Sequence, residues 1–401
     1  MKSLPSKFPQ RKQGFFQIFS PLRWLTAQLR EFRRNIGLGH VMSYPSHWAA
    51  AVWRLLIVFN PGNLGNWSIR GKKINNVTGK FEWSVLQMML DLYRVKNKKN
   101  WEGYFTSGTT EANIYLAWLG RRRLQEQGIA LEKIGLLRNS LTHYSLTKAA
   151  DVVGVKDFEL PIGNDWEGFD LSSLLYEVKK LKKKGYQGFL IPLTLGFTLS
   201  GTDDDIDEII GNLSQWGKKN KVQFFFWIDA ALAGLVRPFV DDDFQPLNNP
   251  HISGMAVDFH KYGRVPLPAG LVFYRNNLRK LIEKPIAYLT EADSTLLGSR
   301  TGVSPVAVWA ELMTSGRRDY QLRVQKNLKE KQAFIDRYQG EKDLEIVTED
   351  HNLNLGLVIR KNKRRWQQYF ATHYDIYFEE VLLKFPQKTG KLLIGKVYFM
   401  R

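Results

Sequence analysis

The apolar run FFFWID ends on a carboxylate, Asp229. A carboxylate at the end of a buried strand is costly unless it is paired. It either caps a turn or faces a cationic N–H. In the second case it could keep a pyridine ring protonated and so able to accept electrons. Lys261, in DFHKYG, follows 32 residues later, about one strand–connection–strand unit away. A strand-end lysine is ordinarily a surface residue. Set near such an acid, and deprotonated by its surroundings, its amine can form an imine with an aldehyde. His260 beside it is either structural or a hydrogen-bond partner for a phosphate.

Three further segments offer polar groups. GTTEAN (108–113) stands between a strand-like and a helix-like stretch. Gly108 would let the backbone come close to an anion, Thr109 and Thr110 bring hydroxyls, and the helix start brings free N–H groups. The same residues also suit an ordinary N-cap. His143, in SLTHYS, could stack on a flat heteroaromatic ring or simply cap its helix. Thr198, in TLGFTLSG, could donate to a ring hydroxyl or a substrate, or serve as a turn residue before Gly201.

These residues need a scaffold. From residue 101 onward short apolar runs alternate with helical patterns. Strands are expected at 102–106, 134–138, 155–160, 187–193, 221–229, 254–259 and 270–275, and helices at 110–124, 143–152, 171–183 and 203–216. Such alternation specifies an α/β fold, a mostly parallel sheet flanked by helices. Ligands of these sheets sit beyond the carboxyl ends of the strands, where the polar segments fall. Helices are expected near 20–34, 46–58 and 82–94. A long helix at 304–338 leads to strands at 344–349, 353–360 and 391–399, with another helix between the last two. The reading divides the chain into an N-terminal arm and helical segment (1–100), a large α/β domain (101–302) and a smaller C-terminal α+β domain (303–401).

Composition narrows the classes. The 401 residues are 44% hydrophobic, enough for a sizeable core. The absence of cysteine excludes disulfides, thiolate metal sites and a cysteine nucleophile; it fits a reducing compartment, and the expected location is the cytoplasm. No metal is expected. No apolar run reaches the roughly 18 residues of a membrane span. The formal charge of +19 permits nonspecific binding to polyanions, but the clusters at 121–123, 179–184 and 361–365 read as solvated faces, so no specific nucleic-acid partner is expected. The basic first 20 residues read as a disordered arm.

Taken together, the segments NWEGYFTSGTTEAN, LTHYSLTKAA, IPLTLGFTLSGTDDDIDEI, FFFWIDAALAGLVRPFVDD, VDFHKYGRVPLPAGLVFYR and LLGSRTGVSPVAVW resemble the group II pyridoxal-5′-phosphate (PLP) decarboxylases. Bacterial PLP-type histidine decarboxylases are the most similar, with plant serine decarboxylases nearby. The likeness implies the fold type I of PLP enzymes (aspartate aminotransferase-like) with a seven-stranded sheet. It implies Lys261 as the Schiff-base lysine, Asp229 under the pyridine nitrogen, Ala231 packed on the ring and His143 stacked over the other face. Gly108, Thr109, Thr110 and His260 would hold the phosphate, and Thr198 would contact the ring hydroxyl or the departing carboxylate. Ser299 would reach the phosphate of a neighbouring subunit, which implies a homodimer, or a dimer of dimers, with shared sites. SGHK of the family is DFHK here, GSRNGH is GSRTGV, and Arg264 adds a charge nearby.

The implied reaction is decarboxylation of an L-amino acid, histidine to histamine first among the candidates. Serine, glutamate or aromatic substrates stand as alternatives, as do transamination, C–C lyase chemistry and a catalytically degenerate basic protein that binds nucleic acid or membrane.

Overall fold

The computed structural model describes residues 15–35, 37–65, 77–285 and 292–400. The first 14 residues of the basic arm lie outside the described residues.

The central sheet has seven strands: β1 (Trp101–Thr106), β2 (Ile134–Asn139), β3 (Lys156–Leu160), β4 (Gly188–Thr194), β5 (Gln223–Asp229), β6 (Ile252–Asp258) and β7 (Gly270–Arg275). Their order is β1-β7-β6-β5-β4-β2-β3. β7 runs antiparallel to both of its neighbours, and the other strands share one direction. The inner strands are apolar because both faces of the sheet are covered; Phe225, Phe226, Trp227 and Ile228 in β5 are all buried. Gly120 lets a covering helix lie close, since a Cβ there would fall 2.6 Å from Phe225 and 2.7 Å from Leu190.

The helices are α1 (Phe15–Asn35), α2 (His47–Leu56), α3 (Gly79–Leu92), α4 (Thr109–Glu126), α5 (Ser145–Val153), α6 (Leu171–Lys183), α7 (Ile206–Asn220), α8 (Val303–Tyr338) and α9 (Lys363–Tyr374). Side-chain caps fix three of the starts: Ser46 accepts from Ala49 N at 3.1 Å, Asp170 from Ser173 N at 2.7 Å, and Asp205 from Glu208 N at 3.0 Å. α7 begins three residues later than expected because Asp203 and Asp204 are drawn into the preceding loop by backbone N–H groups. No helix among the described residues is long and apolar enough to cross a membrane.

α8 bends at Gly316, whose φ of 63° lies in the left-handed region. α8 packs against α2 and α3 and carries the chain into an antiparallel sheet of order β8-β9-β11-β10. Its strands are β8 (Leu344–Val347), β9 (Asn354–Ile359), β10 (Phe378–Phe385) and β11 (Lys388–Tyr398). β10 was missing from the sequence expectation. Only Leu383 and Phe385 of its residues are buried, and Glu379 and Glu380 break the apolar alternation.

Lys331 of α8 is buried, and its ammonium donates to Glu349 O at 2.6 Å, Asp350 O at 3.0 Å and Thr348 Oγ1 at 3.3 Å. Burial lowers its pKa to about 8. Lys331→Met should cost about 1–3 kcal/mol of stability, because it removes the donor to three acceptors while nearly keeping the volume. Urea unfolding would measure the loss.

Candidate active site

The carboxyl ends of β1, β4, β5 and β6 converge on a cleft of about 330 Å³. Thr194 and Asp229 are paired in register as the last residues of β4 and β5. Gly270 pairs with both Thr106 and Asp258, so it sets the ends of β1 and β6 on either side of the start of β7. Nine of the ten expected site residues line this cleft: Gly108, Thr109, Thr110, His143, Thr198, Asp229, Ala231, His260 and Lys261. Ser299 does not. It is exposed on a two-stranded ladder in which Gly62–Leu64 pairs with Ser299–Thr301.

Asp229 is buried but not stranded. Its Oδ2 accepts from Asn113 Nδ2 at 2.7 Å and its Oδ1 from Ala231 N at 3.2 Å. Asn113 is oriented in turn by Trp227 Nε1, which donates to its Oδ1 at 3.0 Å. A carboxylate held this way stays aimed. On another wall, Ser145 N donates to His143 Nδ1 at 3.3 Å, which leaves the proton of the neutral ring on Nε2. Burial, opposed by Asp229, holds this imidazole below its usual range, so it is neutral at neutral pH.

Lys261 lies three residues beyond the end of β6. The N-terminal segment fixes its backbone, the Ser43 hydroxyl donating to Lys261 O and Ser46 N to Arg264 O at 2.9 Å. Its Nζ is 3.4 Å from Asp258 Oδ2. His260 Nε2 lies 3.5 Å from the same oxygen, and burial holds that imidazole too below its usual range. Across the cleft α4 begins at Thr109. Gly108 is extended there, at φ 166°, so its freedom to reach positive φ is not what matters. A Cβ would stand 3.3 Å from His260 Cε1.

Two hydroxyls of the cleft, Thr109 Oγ1 and Thr194 Oγ1, are buried without a hydrogen-bond partner. Unsatisfied buried hydroxyls are uncommon and mark the place for a polar ligand. Together with the N-terminus of α4, they form a donor set suited to a phosphate and a polar heteroaromatic ring. Gly270→Ala should disturb it, because a Cβ at 270 would sit 2.6 Å from Gly108 Cα. The expected result is at least about a tenfold loss of cofactor affinity, measured by equilibrium dialysis, with smaller changes in melting temperature.

The loop carrying Thr198 is pinned by one carboxylate. Asp203 accepts from Gly196 N at 2.6 Å, Arg237 Nη1 at 2.5 Å, His351 Nε2 at 2.7 Å and Asn352 Nδ2 at 2.8 Å. Asn354 Nδ2 adds a bond to Phe197 O at 2.8 Å. Arg264 does not line the cleft. Tyr320 of α8 is buried, stacked on Phe239 and donating to Gly263 O at 3.3 Å.

Asn113, Thr194 and Asp258 were not singled out by sequence reasoning. Asn113 stands four residues after Thr109, on the same face of α4, a spacing that could have drawn attention to it. Thr194 and Asp258 carried only the weaker signal of being polar residues that close apolar strands.

A family model, the pyridoxal-dependent decarboxylase conserved domain, matches residues 69–361. The chain belongs to this family. As one of the pyridoxal-dependent decarboxylases it uses pyridoxal 5′-phosphate, and the orphan hydroxyls beside the start of α4 fit that group. Serine decarboxylase 2 of Oryza sativa subsp. japonica is 32% identical over 248 residues, which are 61% of this decarboxylase and 50% of that protein. The chain thus spans half the length of that relative. Histidine decarboxylase of Morganella morganii is 29% identical over 284 residues, 70% of this chain and 71% of that one. L-methionine decarboxylase from Streptomyces sp. 590 superposes with a TM-score of 0.78 at 19% identity, covering 100% of this decarboxylase and 95% of that chain. The expected fold type I, with its seven-stranded sheet and C-terminal sheet, is the fold observed.

Proposed function

We propose that this decarboxylase converts an L-amino acid to its amine and carbon dioxide, with histidine the first substrate to test. The observation that carries the reading is the meeting of Lys261, Asp229 and His143 in one cleft with the phosphate-suited start of α4. Bound PLP supplies an electron sink for the bond that breaks. Lys261 would tether the cofactor through its amine. Asp229, aimed by Asn113, would hold a proton on the pyridine nitrogen. Ala231 and His143 would pack on the two ring faces, and neutral His143 can pass a proton. Thr109, Thr110, His260 and the α4 N–H groups, approached closely at Gly108, would bind the phosphate. Thr198 would orient the ring hydroxyl or the substrate carboxylate. Histidine ranks first from the resemblance and the histidine decarboxylase relative; serine ranks next.

We assign Ser299 to the site of a second copy in a homodimer. Its exposure, and the exposed Trp48, Leu55, Val58 and Phe59 on and after α2, support a covered face there. We place the enzyme in the cytoplasm, in keeping with its lack of cysteine.

The test is to offer each amino acid to the PLP-loaded protein and measure evolved carbon dioxide. One amino acid, histidine by this reading, should exceed the others by about a hundredfold in kcat/KM, the discrimination a built pocket supplies. Amine formation without carbon dioxide, or no turnover of any amino acid, would overturn the assignment.

A further inference from the structure

Asp258 closes β6 and is 4% exposed. Its Oδ1 accepts from Thr109 N at 2.8 Å, and its Oδ2 faces Lys261 Nζ at 3.4 Å and His260 Nε2 at 3.5 Å. A carboxylate is an odd occupant of this place. It takes the first N–H of the helix whose start suits a phosphate. The SGHK pattern of the resemblance has an uncharged serine where DFHK has this acid. Some cation must therefore offset its burial. His260 serves poorly, because burial opposes its protonation. The Lys261 ammonium, at ion-pair distance, is the stronger partner.

We propose that Asp258 is the counter-ion of the Lys261 amine whenever that amine is not joined to the cofactor. It is a positioning residue that stabilises the displaced lysine and so weakens its grip on the aldehyde. The inference rests on Lys261 being the tethering lysine. The exchange balances: the substrate enters as an ammonium, its nitrogen replaces that of Lys261 in the C=N bond, and the lysine leaves as an ammonium with the proton the substrate brought. Asp258 stands where that charge appears. The acid thus favours release of the lysine to substrate at some cost in cofactor retention.

A double-mutant cycle tests this. PLP dissociation constants are measured at one pH for the wild type, Asp258→Asn, Lys261→Ala and the double variant. Asparagine keeps an acceptor for Thr109 N–H while removing the charge. With Lys261 present, D258N should tighten PLP binding about tenfold; without it, by less than about twofold. An equal gain in both backgrounds would mean that Asp258 acts on the phosphate, and would overturn the proposal. So would unchanged or weakened binding with Lys261 in place. D258S, restoring the uncharged residue of the pattern, repeats the measurement if D258N folds poorly; unfolding of both would make Asp258 a structural residue and end the proposal. Failure of the underlying reading looks different: the wild type would form no visible band with PLP, or K261A would keep it, and the proposal would fall with it.

Discussion

Lys261→Ala should abolish the visible absorption band of the PLP-loaded protein and lower carbon dioxide release at least about a thousandfold, the scale of losing a residue that makes the covalent bond. The fold should survive. The Lys261 side chain is partly exposed at the cleft and contributes one ion pair, to Asp258. Its backbone is held independently, through the Ser43 hydroxyl and Ser43 N. Circular dichroism should therefore match the wild type, while the melting temperature falls because the buried Asp258 loses its partner. K261A that turned over at the wild-type rate would refute the role of Lys261.

Asp229→Asn should leave the absorption band in place and lower kcat about 10²–10³-fold, the range seen when one preorganised electrostatic group is removed. Asparagine nearly reproduces the shape, but it can neither hold a proton on the ring nitrogen by charge nor accept at both oxygens. The Asn113 and Ala231 donors bind opposite oxygens, so one of them loses its acceptor. Cofactor affinity should fall less than kcat, because Lys261 and the phosphate contacts are untouched. A kcat within about threefold of the wild type would show that the ring needs no acid beneath it. Stopped-flow spectra and steady-state rates measure both quantities.

Much of this site was legible because the chemistry falls at strand ends. In a parallel sheet, polar residues that close apolar runs gather on one rim, so Asp229, Lys261 and the GTTEAN turn could be associated before their strand order was known. Order itself was not legible. Nothing in GLVFYR says that β7 runs backwards between β1 and β6, yet that reversal sets Thr106 and Asp258 on either side of Gly270. Tertiary hydrogen bonds were hidden as well. Three successive aspartates read as the first turn of a helix, but only Asp205 caps it, while the N–H groups of Thr194 and Gly196 claim the other two. Tyr320 follows three charged residues, Arg317, Arg318 and Asp319, and nothing in that stretch marks it as buried. Its burial comes from contacts with Phe239 and Gly263, far off in the chain. The edge strand β10 was lost because a sheet edge need not bury an alternating face.

The carboxylate of Asp203 joins four donors from three stretches of chain, two of them, His351 and Asn352, in the turn that joins β8 to β9 of the C-terminal sheet. The wall of the cleft that bears Thr198 is thus held in part from the C-terminal sheet. Heat or chaotrope that first loosens the C-terminal sheet would release that wall while the central strands stayed folded. Catalytic competence would then fade ahead of global melting, and a shortened chain ending before His351 would keep its sheet yet present a slack, ill-defined mouth.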